Sequence, residues 1–242
     1  MATIAENIQT LRSIKSDIKN AIIQKGGSVT DAFGTYAQAI TNLPSGGGNE
    51  DLIGMIEDDI TTLNIPEGTT NICKYAFYYR ESLTDIAIPN TVTRIGYSAF
   101  EYCRAIKSVN IPNGVTGIEN YTFRNCSSLK EVTIPNTITY ISKEAFYACS
   151  SLKEVTIPNS VTLIERDAFC ACTSLTAITV LAATPPTLGF SVFISTNDCP
   201  IYVPAESVDA YKTATDWSEY ASRIQAIGTV TEGDPSGGPI IN

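Results

Sequence analysis

Residues 131–153 read EVTIPNTITYISKEAFYACSSLK, and at Glu154 the same phrase starts again as EVTIPNS. The step is 23 residues, and it continues in both directions: IPEG, IPNT, IPNG, IPNT and IPNS begin at Ile65, Ile88, Ile111, Ile134 and Ile157. Other apolar positions keep the same step. Phe77, Phe100, Phe123, Phe146 and Phe169 form one column, and Ile72, Ile95, Ile118, Ile141 and Ile164 a second. Leu83, Ile106, Leu129, Leu152 and Leu175 form a third, and Leu63, Ile86, Val109, Val132, Val155 and Ile178 a fourth. One such unit is too short to enclose its own apolar face. Stacked units bury each column against its counterpart next door, which is the signature of a solenoid. Each buried Phe, Leu or Ile then contributes about 1.5–3 kcal/mol relative to exposure.

Within a unit, Val132-Thr133-Ile134-Pro135 alternates as a short strand does, and Pro135 ends it because proline cannot donate to a ladder. Val92 to Ile95 is a second alternating piece, and its threonine column (Thr70, Thr93, Thr116, Thr139, Thr162) is expected to face out. Lys143 to Cys149 suits a short helical turn with Ala145, Phe146 and Cys149 inward. The predicted coil is therefore strand, turn and short helix, an α+β repeat. The pattern IPxxVTxIxxxAFxxCxxLxxVxIP resembles the BspA-type leucine-rich repeat over about residues 53–204. That resemblance implies a leucine-rich-repeat solenoid and a binding scaffold rather than a catalyst. Similar repeats occur in bacterial surface adhesins, in some protozoan surface proteins and in phage-encoded proteins.

Composition narrows the chemistry. The chain of 242 residues has no histidine, which removes Ser-His-Asp and Cys-His catalysis and most zinc sites. Its net charge is −9, and residues 1–43 are near neutral, so the acidic excess lies in the remainder. Such a surface repels phosphates, and no nucleic-acid partner is expected. No stretch approaches the ~18 apolar residues of a membrane span, so no membrane insertion is expected. MATIAENIQTLRSIKSD lacks the unbroken apolar core of a secretory signal, which points to a chain made in the cytosol.

Four of the seven cysteines, Cys103, Cys126, Cys149 and Cys172, lie on the repeat, with Arg80 at that place in the first unit. They read as a column of small buried thiols, with bridges between adjacent rungs as the alternative. Neither Cys170-Ala171-Cys172 nor the acidic knot Glu57-Asp58-Asp59 is read as a metal site, and no cofactor is expected. Tyrosines crowd the non-core positions of the early units: Tyr75, Tyr78, Tyr79, Tyr97, Tyr102 and Tyr121. They are the candidate ligand-binding residues, because tyrosine offers contact area at low entropy cost; the alternative is that they only cover the solenoid edge.

The ends differ from the repeat. Residues 1–43 form an expected N-terminal α-helical module. Ile4, Ile8, Leu11, Ile18 and Ile22, with Lys15 at the interrupted place, make a short heptad seam that favours a homo-oligomer, a trimer above all. A two-helix hairpin packed on itself is the competing reading. Residues 44–50 are a glycine-rich linker. Residues 51–204 are the solenoid with a front cap at Asp51 to Ile56, 205–230 a C-terminal helical cap, and 231–242 a tail. In the cap, Pro204 is expected to start a helix over Ala205 to Thr213. A second helix carries Trp217, Tyr220, Ala221 and Ile224, with Trp217 plugging the open end. The stretch IYVPAESVDAYKTATDWSEYASRIQAI resembles the ending common after BspA-like repeats. IAENIQTLRSIKSDIKNAI…GGSVTDAFGTYAQAI resembles the helical module that precedes fibre or adhesin domains in tailed-phage structural proteins. Together these imply a non-enzymatic phage virion fibre or decoration protein, made in the host cytoplasm. Its partners would be other virion proteins and a host-surface glycan or protein. The alternative is an extracellular BspA-like adhesin.

Overall fold

The structure is a computed structural model that describes residues 61–65 and 67–228. The N-terminal module with its seam (Ile4, Ile8, Leu11, Lys15, Ile18, Ile22), the linker, the front cap at Asp51 to Ile56 and the tail at 231–242 lie outside the described residues.

The described residues form a parallel β-solenoid of about seven turns. Each of the first six turns contributes one strand to each of two rows, and the seventh adds a strand to the first row only. The first row holds β1 (Thr62–Asn64), β3 (Asp85–Ala87), β5 (Ser108–Asn110), β7 (Glu131–Thr133), β9 (Glu154–Ile157), β11 (Ala177–Val180) and β13 (Ile201–Val203). The second holds β2 (Asn71–Ile72), β4 (Arg94–Ile95), β6 (Gly117–Ile118), β8 (Tyr140–Ile141), β10 (Leu163–Ile164) and β12 (Thr187–Leu188). Every pairing is parallel, and the register joins like to like: Leu63 opposite Ile86, Val109 opposite Val132, Ile118 opposite Ile141. The threonine column faces solvent, and Thr93, Thr139 and Thr162 each donate a hydroxyl to the threonine carbonyl one turn back.

The core is the sum of the columns. Phe100, Phe123, Phe146 and Phe169 are fully buried, and Phe77 is half-buried. Their rings stack face to face at centroid spacings of 5.2, 5.5, 5.4 and 5.1 Å. The stack then reaches Phe193 at 5.9 Å. A strict step from Phe169 lands on Val192, so the sequence periodicity alone misses Phe193. One extra residue in the Leu181–Pro186 stretch shifts the register, and Leu163 pairs with Thr187.

The expected short helix in each coil is absent from the described turns. Each segment between a second-row strand and the next first-row strand is a chain of turns, with two non-glycine residues at positive φ in the first five and four in the sixth. Tyr75 and Tyr79 occupy these places in the first turn, Ser98 and Tyr102 in the second, and Tyr121 and Asn125 in the third. The physical reason lies in the hydrogen bonds. The N–H groups of Tyr75, Phe77 and Tyr79 donate to the carbonyls of Tyr97, Ala99 and Glu101 one turn onward, at 2.8–2.9 Å. Those of Ala76, Tyr78 and Arg80 close local three-residue turns. A left-handed residue costs roughly 1–2 kcal/mol, and here it turns alternate N–H groups outward to the next rung. An α-helix would keep those groups to itself and leave neighbouring turns unjoined.

The cysteine column belongs to the same system. None of the seven cysteines forms a disulfide. Cys103, Cys126, Cys149 and Cys172 are buried, and each thiol donates to a phenylalanine carbonyl 26 residues back, at 3.0–3.2 Å.

The C-terminal cap is less helical than expected. Ala205–Ser207 and Trp217–Arg223 are 3-10 segments, and only α1 (Val208–Thr213) is α-helical. Ile224, read as the end of a second helix, instead opens β14 (Ile224–Ala226), which pairs with β13 as a further rung. Trp217 does close the open end. Its ring packs on Phe193 at 5.9 Å and on Tyr211 at 4.8 Å, and its N–H donates to the Pro186 carbonyl. The groups that a further turn would have satisfied are met by the cap together with Thr196 of the same turn. The Phe193 N–H donates to the Tyr220 hydroxyl, and the Phe193 carbonyl accepts from Arg223 and from Thr196.

Two outcomes are expected. Phe123→Ala opens a void between Phe100 and Phe146 and should cost about 3–5 kcal/mol in chemical denaturation. Burial pushes the Cys103 thiol up to about 12 and those of Cys126 and Cys149 well above their ordinary value, so the reactive thiolate is scarce at neutral pH. Alkylation followed by mass spectrometry should label exposed Cys73 in the folded chain, and Cys103, Cys126, Cys149 and Cys172 only after denaturant is added.

Candidate functional site

Four of the six candidate tyrosines, Tyr75, Tyr79, Tyr102 and Tyr121, sit at the left-handed positions, where the side chain leaves the core. Tyr79 is exposed, and the other five tyrosines are half-buried. All six are brought together. Tyr121 meets Tyr97 edge to face at 5.2 Å, Tyr97 meets Tyr75 likewise at 5.2 Å, and Tyr75 meets Tyr78 at 5.7 Å. Tyr78 contacts Tyr79 and Tyr102, which stack on each other at 4.4 Å. Such pairs are worth roughly 0.5–1.5 kcal/mol beyond area burial, so the rings brace one another. Burial, and then the Glu101 carboxylate, push the Tyr78 phenol up. Burial and a hydrogen bond with Tyr75 do the same to Tyr97. Both hydroxyls stay protonated at neutral pH and can donate.

Sequence reading missed the charged half of this face. Arg124 donates from Nη1 to Glu101 Oε1 at 2.9 Å, and its Nε lies 2.9 Å from Glu144 Oε2. Its guanidinium also lies over the rings of Tyr102, Tyr121 and Tyr147, at 5.4–5.8 Å from their centroids. Lys143 lies 4.9 Å from the Tyr121 ring centroid and 3.5 Å from Glu144. The 23-residue step could have found the group: Tyr78, Glu101 and Arg124 occupy one column, and Tyr75, Tyr121 and Glu144 another. Among the described residues, no three His, Cys, Asp or Glu side chains gather as a metal site needs. No described helix is long and apolar enough to cross a membrane.

With parallel turns, a stacked phenylalanine column and a buried thiol column in place, the family follows. The BspA type leucine rich repeat region matches residues 56–176 in six copies, half of the chain. The chain belongs to the BspA-type leucine-rich repeat family. Among solved structures, it is similar to the leucine rich repeat protein of T. pallidum, at 26% identity and a TM-score of 0.52, over 58% of this chain and 78% of that one. It also matches a leucine rich cell surface protein from Faecalibacterium prausnitzii at 34% identity and a TM-score of 0.49, over 52% of this chain. That match spans about a third of the F. prausnitzii protein, 34% of its length. No curated protein matches the chain. In this BspA-type solenoid the family pattern accounts for the inward columns, and the tyrosine face is built from the outward residues that the pattern leaves open.

Removing the clamp tests how far the face depends on it. Arg124→Ala leaves Glu101, whose side chain is 8% exposed, without its cation. The loss should be about 2–3 kcal/mol, read from denaturation midpoints. Adding Glu101→Gln to that variant should restore part of it, because the neutral amide needs no counter-charge.

Proposed function

We propose that this chain is a non-enzymatic attachment protein of a phage particle. Residues 1–43 oligomerise, as a trimer, or dock on the particle, and the solenoid presents its tyrosine face to a host surface or a neighbouring virion protein. The observation that carries the binding role is the unbroken ring contact among six tyrosines on a rigid stack. Aromatic side chains held in place give large contact area with little entropy left to lose. A scaffold role also fits the chain's lack of histidine and the state of the nearest carboxylates. Glu101 and Glu144 are both paired with Arg124, so neither stands as a lone carboxylate facing a second one across the groove. The virion placement is supported by the isoleucine seam and by the resemblance of the N-terminal stretch to phage modules. Membership of the BspA-type family favours a second placement equally, as an adhesin on a bacterial surface.

Mass spectrometry of washed particles from a lysate of the host carrying this gene separates the two. The chain is expected among the particle proteins, and the purified full chain is expected to scatter light as a trimer. Absence from the particles overturns the virion placement, and detection on intact bacteria by surface labelling would then establish the second.

A further inference from the structure

The tyrosine face contains a cavity of about 340 Å³, within the size range of small-ligand sites. Tyr75, Tyr97 and Tyr121, joined ring to ring, form one side of the lining. Tyr78, Glu101 and Arg124, which share one column, form the other, and Glu144 completes it from the next turn. The lining thus draws on four successive turns, so the long direction of the groove follows the stack. With rungs roughly 4.8 Å apart, it extends over about 15 Å.

Three observations limit what can lie there. The first is charge: Glu101 and Glu144 are balanced by Arg124 and by Lys143. A strongly charged ligand finds no net counter-charge in the groove, and the chain's net charge of −9 repels anions in addition. The second is polarity. A wholly apolar ligand would cover a carboxylate and a guanidinium without giving them hydrogen bonds, which is costly. The third is the backbone. Alternate N–H groups beneath the groove, those of Tyr75, Phe77, Tyr79, Ser98, Phe100 and Tyr102, are already spent on the next turn. An extended peptide therefore has no strand edge to add to. A short chain of sugar rings meets all three limits. It is neutral and elongated, with C–H faces that pack on tyrosine rings and hydroxyls that pair with carboxylate, guanidinium and phenol.

We propose that this groove binds a neutral oligosaccharide. Its rings lie along Tyr75, Tyr97 and Tyr121, and its hydroxyls pair with Glu101 and Arg124. The inference rests on the reading of the chain as a binding scaffold, and it holds for either placement, on a particle or on a cell.

The test uses the full chain against an array of neutral hexose and N-acetylhexosamine oligosaccharides, with sialylated and sulfated counterparts alongside. Titration calorimetry follows on whichever glycan is retained. A neutral glycan should bind, and its affinity should fall about tenfold or more in Tyr97→Ala and in Glu101→Gln, one such factor being the worth of a single good contact. Glu101→Gln leaves every ring of the groove in place, so its loss of affinity keeps the test decisive if Tyr97→Ala is unstable. Tyr202→Ala, on β13 and outside the groove, should bind as the parent does. Absence of any glycan binding, preference for the sulfated or sialylated forms, or parental affinity in both Tyr97→Ala and Glu101→Gln would each overturn the proposal. A chain found in particles, or on cells, that binds only a protein through these tyrosines would keep the scaffold reading and sink the oligosaccharide.

Discussion

Everything in the solenoid depends on one constraint: backbone groups in one turn are completed by the turn beside it. Tyr75, Phe77 and Tyr79 give their N–H groups to the second turn, and Ser98, Phe100 and Tyr102 give theirs to the third. Side chains follow the same rule. The thiol of Cys126 is satisfied by the Phe100 carbonyl, and that of Cys149 by the Phe123 carbonyl. A residue therefore cannot shift along the chain without losing partners on both sides, and this holds phenylalanine over phenylalanine. Hydrophobic burial provides most of the stabilisation, and the ladder sets the register in which it is collected.

A stack built this way has an end problem, since its last turn offers donors and acceptors to nothing. The cap resolves this with side chains in place of backbone. Tyr220 accepts from the Phe193 N–H, and Arg223 donates to the carbonyls of Phe193 and Cys199. Tyr211 and Trp217 are buried on top of the phenylalanine stack, and their polar atoms reach the carbonyls of Ala182 and Pro186. Burial raises the Tyr211 phenol further, so it remains a donor. β14 supplies one more parallel strand, which moves the free sheet edge beyond the last apolar column.

The outward positions are under none of these constraints, and there the turns differ. The first two carry most of the tyrosines, the third and fourth carry Arg124, Lys143 and Glu144, and the sixth exposes Phe190 and Ile194. A rigid frame with a variable face can evolve a binding surface without disturbing its core. The left-handed backbone at Tyr75, Tyr79, Tyr102 and Tyr121 is part of the frame, and the choice of tyrosine there is part of the face.

Sequence by itself determined the 23-residue turn, the inward columns and the closing role of Trp217, because burial selects the same residue type wherever the same wall recurs. It also placed the six tyrosines on one side. It did not reveal that the AFxxC segment is a chain of turns and not a helix. Alanine, glutamate and phenylalanine suit a helix locally, and only hydrogen bonds to a neighbouring turn favour the left-handed alternative. It did not reveal Phe193, because one inserted residue breaks the step and only ring stacking restores the column. Nor did it join Glu101, Arg124 and Glu144 into a clamp. These lie 20 or more residues apart along the chain, and tertiary stacking alone brings their charges within 3 Å.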